Sequence, residues 1–275
     1  MNRLYPQPTP CLPRRRLVVG AALACAALPL LAAEAAPAAD PFLGDPFRSH
    51  QWSELRKEFL GGLAAKLEFD PRVQVRGPLV ADDAMNVPIS VSVAGLADVE
   101  QIVVLVDRNP IRKVLEYEPQ AGARPAFSFR FKLEQASPVR AAARTRDGVW
   151  HVGGLLVDSA GGGCTVAGVT RKDGSWPETL GQVSGRLFET FDDVGARLRL
   201  RVMHPMDTGL VAGIPAFYLK RVAVADGNGV ELLRLATFEP VSENPVFSFD
   251  LVGRPRGPLS VRGIDNNGNR IAAVL

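Results

Sequence analysis

Ala126–Leu133 reads AFSFRFKL. Phenylalanines and small polar residues in so short a run favour a pleated, half-buried strand over a helix. The run has company on both sides. RVQVRGP (72–78), VPISVSVA (87–94), EQIVVLVDRNP (100–110), PVRAAARTRDG (138–148) and VWHVGGLLVD (149–158) are likewise short and rich in Val, Ile and Phe. Turn residues separate them, and no helix long enough for a parallel crossover lies between them. The pattern predicts an antiparallel sandwich of immunoglobulin-like type.

The same pattern returns later. ARLRLRVMHP (196–205), PAFYLKRVAVAD (215–226), VELLRLATFEP (230–240), PVFSFDLVG (245–253), PLSVRGIDNNGN (258–269) and RIAAVL (270–275) read as a second, smaller sandwich. Asp226-Gly227-Asn228-Gly229 and Asn267-Gly268 supply hairpin turns. The halves echo each other weakly: Phe127-Ser128-Phe129 with Phe247-Ser248-Phe249, and Asn109-Pro110 with Asn244-Pro245. The spacing between these strings differs, so the halves are similar but not a strict repeat.

One helix is expected upstream. Trp52, Leu55, Phe59, Leu60 and Leu63 fall at helical spacing, giving a helix over about 50–61 that Gly61-Gly62 would end. The fold class is therefore all-β: two immunoglobulin-like antiparallel β-sandwiches packed together, with one short N-terminal helix.

Residues 1–35 read as a signal peptide. Arg14-Arg15-Arg16 precede an apolar run, and Ala33-Glu34-Ala35 offers an A-x-A cleavage site. The arginines followed by Leu17-Val18 fit the twin-arginine route, with the general export route as the alternative. The run is short and broken by Pro29, which argues against a membrane anchor. The expected organisation is a leader over 1–35, a first sandwich with its helix over 36–160, a glycine-rich cysteine loop and linker over 161–189, and a second sandwich over 190–275. Periodicity is lost in 158–185, where seven of 28 residues are glycine; a loop so long is usually functional.

Cleavage changes two properties. The whole chain has 32 basic and 29 acidic residues. Arg3, Arg14, Arg15, Arg16 and Glu34 leave with the leader, so 28 of each remain and the mature chain is neutral. No net basic charge argues for nucleic acid. Cys11 and Cys25 leave as well, so Cys164 is the sole remaining thiol. A lone thiol in an oxidising compartment either pairs outside the chain or reacts; the alternative is a buried cysteine acting as a small hydrophobe.

Cys164 follows Gly161, Gly162 and Gly163. Glycine allows the widest backbone range. A thin, mobile arm bearing sulfur could enter a partner enzyme's active-site channel, which is the task of a covalent carrier. Other chemistry is sparse. His50, His151 and His204 show no metal-ligand spacing, and there is no G-x-S-x-G elbow, P-loop or dinucleotide fingerprint. No metal and no cofactor are expected. The paired acids Asp82-Asp83 and Asp192-Asp193 read as solvated turn residues. A Cys–His thiol enzyme would need His204 or His151 beside Cys164. The string His204-Pro205-Met206-Asp207-Thr208-Gly209, after Met203, reads as a turn ending a strand; its alternative is a soft copper site from Met203, His204 and Met206.

These strings resemble a family. HPMDTG, IPAFYLKRVAV, DGNGVEL, VSENPVFSF and the closing Asp-Asn-Gly turn are similar to SoxZ; VPISVSV, IVVLVDRNP, FSFRFKL, SPVRAAARTRDGVW and GGGC are similar to SoxY. Together the two are the periplasmic sulfur carrier SoxYZ. The resemblance implies that Cys164 carries a sulfur-chain adduct and that the HPMDTG residues are structural. It implies a protein without catalysis of its own, whose partners are periplasmic redox enzymes or cytochromes. SoxY and SoxZ are usually separate chains, and the SoxY arm usually ends its chain. Here Thr165-Val166-Ala167 follow the cysteine, so the arm is tethered at both ends. Fused SoxYZ-like carriers form a subgroup associated with quinoprotein dehydrogenase systems of alcohol oxidation. The alternatives are an accessory binding module of such a system, or a thiol enzyme using Cys164 and His204.

Overall fold

The computed structural model describes residues 40–189 and 195–275. The leader over 1–35 and Asp192-Asp193 lie outside the described residues. Residues Asp40–Leu275 form one compact unit.

The described residues are mostly β, in two sheets. The first half supplies β1 (Leu67–Phe69), β2 (Gln74–Arg76), β3 (Val87–Ser92), β4 (Val99–Val106), β5 (Lys113–Pro119), β6 (Ala123–Phe131), β7 (Ser137–Thr145) and β8 (Trp150–Val157). The second supplies β9 (Val183–Glu189), β10 (Ala196–Val202), β11 (Leu219–Ala225), β12 (Glu231–Thr237), β13 (Val246–Leu251), β14 (Ser260–Asp265) and β15 (Arg270–Val274). The strand order is β1-β8-β7-β4-β5-β12-β11-β14-β15 in the nine-stranded sheet and β2-β3-β6-β13-β10-β9 in the six-stranded one. All pairs are antiparallel except β1 with β8.

The two expected sandwiches meet edge to edge. β5 pairs with β12 in one sheet and β6 with β13 in the other, so each sheet runs unbroken through both halves. The echoed strings meet at that seam: Ser128 pairs with Ser248 and Phe127 with Phe249. Between the layers, Tyr117 stacks on Phe249 at 5.6 Å and 16° and leans on Phe127. Residues of both sheets and both halves share one continuous apolar core. Backbone pairing at the seam leaves no unsatisfied strand edges between the halves.

The helix α1 (Trp52–Phe59) is shorter than expected at both ends. Gly61 and Gly62 adopt positive φ, and the Gly62 amide closes on the Arg56 carbonyl, which ends the helix. Trp52 and Leu55 pack on Val103, Leu105 and Ala142 of the nine-stranded sheet. This explains the unbroken apolar run of β4: Ile102 and Val104 face the inter-sheet core, whereas Val103 and Leu105 face the helix.

Arg140 fastens the N-terminal segment. It is 0% exposed, forms paired contacts with Asp45 and Asp107 at 2.7–2.9 Å, and lies over the Trp52 and Phe47 rings. The stretch expected to be a linker is structured. It holds two short helical turns, α2 (Val169–Asp173) and α3 (Trp176–Thr179), and all of β9.

Candidate functional site

At one end of the six-stranded sheet β6 runs out into Lys132-Leu133-Glu134. Asn109, of the Asn-Pro pair, braces this exit: its Nδ2 donates to the Lys132 carbonyl at 2.7 Å, and its Oδ1 accepts the Glu134 amide at 2.8 Å. The chain returns to the same place after β8, bringing Cys164 with it.

Cys164 is docked there and 0% exposed. Its Sγ–H donates to the Lys132 carbonyl at 3.6 Å. Its amide donates to Glu134 Oε2 at 2.8 Å, and the Thr165 hydroxyl donates to Glu134 Oε1 at 3.0 Å. From the second half, the Thr208 hydroxyl donates to the Cys164 carbonyl at 2.6 Å. The expected mobile stalk is therefore a packed turn in this structure. Gly161 and Gly162 take φ of +94° and +83°. A Cβ on Gly163 would lie 2.3 Å from the Ala84 carbonyl oxygen and 2.6 Å from that of Leu133. The glycines permit close approach of backbone to backbone, rather than exposure.

The residues after the cysteine are stitched to the second half. Thr170 donates its amide to Glu243 Oε1 at 3.0 Å. Arg171 Nε donates to Asp207 Oδ2 at 2.6 Å, and its guanidinium covers the Trp176 ring at 4.1 Å. Trp176 in turn meets Phe217 edge-on at 5.6 Å. Two bonds between Gly181-Gln182 and Met203 complete the seam.

The HPMDTG string builds the floor of this dock. Asn244 clasps the His204 backbone. His204 Nδ1 accepts the Met206 amide at 3.1 Å, which leaves Nε2–H directed at Asp265 Oδ2, 3.6 Å away. Met206 Sδ accepts the Leu219 amide at 3.3 Å. Ring nitrogen and thioether are thus engaged in separate contacts, and no copper geometry results. Asp207 pairs with Phe217 as an isolated bridge. Gly209, at φ +76°, has Ala216 so near that a Cβ would lie 3.0 Å from it.

Lys132 is the chemical surprise. It is 2% exposed, and its ammonium donates to the Met206 carbonyl beside the thiol. Burial pushes its pKa down, opposed by Cys164, Asp207 and Glu243. The Cys164 thiol is pushed up to about 12, chiefly by burial and then by the Glu134 charge, with Lys132 partly offsetting both. In the docked state sulfur is a protonated thiol, not a nucleophile. His204 is pushed down to about 4 by burial, against the pull of Asp265. Burial raises Asp207, with Arg171 opposing.

Neither histidine hydrogen-bonds the thiol. His151 instead directs Nδ1 at Glu68 Oε1 (2.8 Å) and Asp70 Oδ2 (2.9 Å). These three could ligate a cation, a grouping that spacing in the sequence did not reveal. Asp70 already accepts bonds from Arg72 and is held well below the usual carboxylate range by them. Lys132, Glu134, Arg171 and Glu243 were also missed as site residues. Asn109 and Asn244 carried a visible signal in the recurrent Asn-Pro.

Residues 56–164 match the family described as sulfur oxidation protein SoxY, and residues 191–274 match sulphur oxidation protein SoxZ. The chain belongs to the SoxYZ-like proteins, with both halves fused. The SoxY match ends on Cys164 itself, and residues 165–190 fall between the matches. Among solved structures, the sulfur carrier protein SoxY from Chlorobium limicola f thiosulfatophilum is similar at 14% identity and a TM-score of 0.35. That alignment covers 39% of this chain and 90% of the other. No curated protein matches the chain. Among the described residues, no helix is long and apolar enough to cross a membrane.

Proposed function

We propose that this SoxYZ-like protein is a periplasmic carrier that holds a sulfur adduct covalently on Cys164 and presents it to partner redox enzymes or cytochromes. One observation carries the reading: Cys164 is the last residue of the SoxY match and is bonded through Thr208 to the HPMDTG string of the SoxZ half. The carrier reading is preferred to a Cys–His catalyst because His204 and His151 bond elsewhere and burial with the Glu134 charge holds the docked thiol protonated. Residues 1–35 direct export as a cleaved leader.

The docked state protects the thiol. Loading requires the turn over 161–165 to lift away, breaking the bonds to Glu134 and Thr208. Joining the thiol to thiosulfate as an S-thiosulfonate releases one proton and two electrons, which a partner cytochrome accepts. In solution the freed thiol regains an ordinary pKa, about 8.5, and with it reactivity. A carrier that alternates between these states is protected in transit and reactive on the partner.

Intact-mass measurement on protein purified from its native periplasm tests this. Adducts of one or more sulfur atoms that vanish in Cys164→Ser are expected. A bare thiol under all growth conditions, with Cys164→Ser functionally silent, overturns the reading.

A further inference from the structure

The outer face of the six-stranded sheet is dominated by arginine and serine, with Pro88, Phe188 and Val246 among them. Cross-strand register places Arg76, Ser90, Ser128, Ser248, Arg199 and Arg186 in one row, one residue from each strand. Neighbouring strands lie about 4.8 Å apart, so the row spans about 24 Å. Arg197 and Arg201 flank Arg199 on β10, where the sequence alternates Ala, Leu and Val inward with arginine outward. Arg130 projects from β6 beside the serines.

This face is charged out of proportion to the chain, which is neutral once the leader is removed. Asp250 is the one acidic side chain it carries among the described residues, and Asp250 is taken by Arg197 at 2.7 Å. Arg130, Arg199 and Arg201 have no acidic partner among the described residues. Six cations on one sheet face repel each other, and nothing in the fold calls for them, since the other face of the same strands makes the core. The serines leave a shallow trough, lined by Ser90, Ser128, Ser248, Arg197 and Arg199. It is too open and wide to enclose a small anion.

The face also leads to the thiol. Arg130 and Arg201 sit on the row nearest the end where Cys164 docks. The Arg130 carbonyl accepts the Ser242 amide, and two residues further on the Lys132 carbonyl accepts the Cys164 thiol.

We propose that this arginine face is the docking platform for an acidic surface of a partner protein, which it seats against the Cys164 end of the sandwich. Charge complementarity supplies rapid association and salt-sensitive release, as a carrier serving several partners requires. The proposal stands on the face alone and does not depend on what Cys164 carries.

Fluorescence anisotropy with a labelled 20-residue poly-L-glutamate tests it. The cleaved protein should bind in 20 mM NaCl and weaken more than tenfold by 200 mM. Arg199→Glu with Arg201→Glu should cost more than tenfold in affinity, and the milder Arg199→Ser with Arg201→Ser several-fold. Arg221→Glu with Arg262→Glu, exposed on the nine-stranded sheet, should change it less than twofold. No binding in 20 mM NaCl, or an equal loss in the control pair, overturns the platform. Tighter binding of heparin, or of phosphatidylglycerol vesicles, through Arg199 and Arg201 overturns the commitment to a protein partner.

Discussion

Arg140 and Lys132 are both buried cations, and the protein holds them in opposite ways. Arg140 is matched by two carboxylates, Asp45 and Asp107, with every bond charge-assisted and aromatic rings on its faces. The Lys132 ammonium donates to one carbonyl, that of Met206, while Asp207 and Glu243 act on it only at longer range. Burial is near complete at both, yet Arg140 is pushed up and Lys132 down. The difference is that carboxylates bond Arg140 directly and act on Lys132 only at longer range. Arg140 fastens the N-terminal segment to the sheet. Lys132 is a cation kept where it costs stability, beside Cys164, the one thiol among the described residues.

The largest effect expected comes from breaking the matched cation. Arg140→Leu leaves two carboxylates buried without their partner, and should cost about 3–5 kcal/mol. Lys132→Met removes a poorly matched charge of similar length, and should change stability by less than about 1 kcal/mol, or raise it. Urea midpoints of the two variants measure the contrast. Equal losses would show that Lys132 is structural after all.

His204 sharpens the comparison as a third buried base, one that sheds its charge. Its pKa falls from 6.5 in the unfolded chain to about 4 in the fold. Between those values the unfolded chain binds a proton that the folded one does not, so stability rises with pH across that window and is lost as pH falls from about 6.5 towards 4. The loss should reach about 3 kcal/mol. Urea midpoints at pH 7 and pH 4.5, in the protein and in His204→Gln, isolate it from the carboxylates. A variant that keeps the full pH slope would assign the effect elsewhere.

The strands were legible because periodicity is written in local sequence: β6 and β13 alternate Phe with Ser or Arg, and the β7–β8, β11–β12 and β14–β15 turns each carry a glycine. That the halves share sheets was not legible, because the β5–β12 and β6–β13 pairings join residues more than a hundred positions apart. Cys164 was identified by elimination, and HPMDTG by its composition. Its docking was invisible for a physical reason. GGG permits exposure and close approach equally, and which one occurs depends on the Ala84 and Leu133 carbonyls brought in from distant strands. Lys132 directly follows β6, and nothing in its local sequence marks its burial.

Gly163→Ala acts on the dock directly. Its Cβ would meet two backbone oxygens that cannot swing aside. Undocking the turn should cost about 1–3 kcal/mol, the usual range for forced overpacking, and expose Cys164. Iodoacetamide at pH 8 should then alkylate it at least tenfold faster than in the unaltered protein. An unchanged rate would mean that the docked turn moves as a unit with its neighbours.

Thr208→Val is the smallest change and the most discriminating. It removes one hydroxyl, which donates to the Cys164 carbonyl at 2.6 Å and also accepts the Leu210 amide at 3.2 Å, and keeps the side-chain volume. One neutral hydrogen bond is worth about 1 kcal/mol, so the undocked population should rise about fivefold. Since the docked thiol is pushed up to about 12, alkylation at pH 8 proceeds through the undocked state, and the rate should rise by the same factor. Lys132→Met should move the rate the other way or leave it unchanged, because removing the ammonium makes the docked sulfur still harder to ionise and eases burial of the turn. Arg140→Leu, tested below its unfolding transition, should not move it. A faster rate in Lys132→Met would instead make the ammonium a tether of the turn, and the two buried cations would then differ in strength, not in kind.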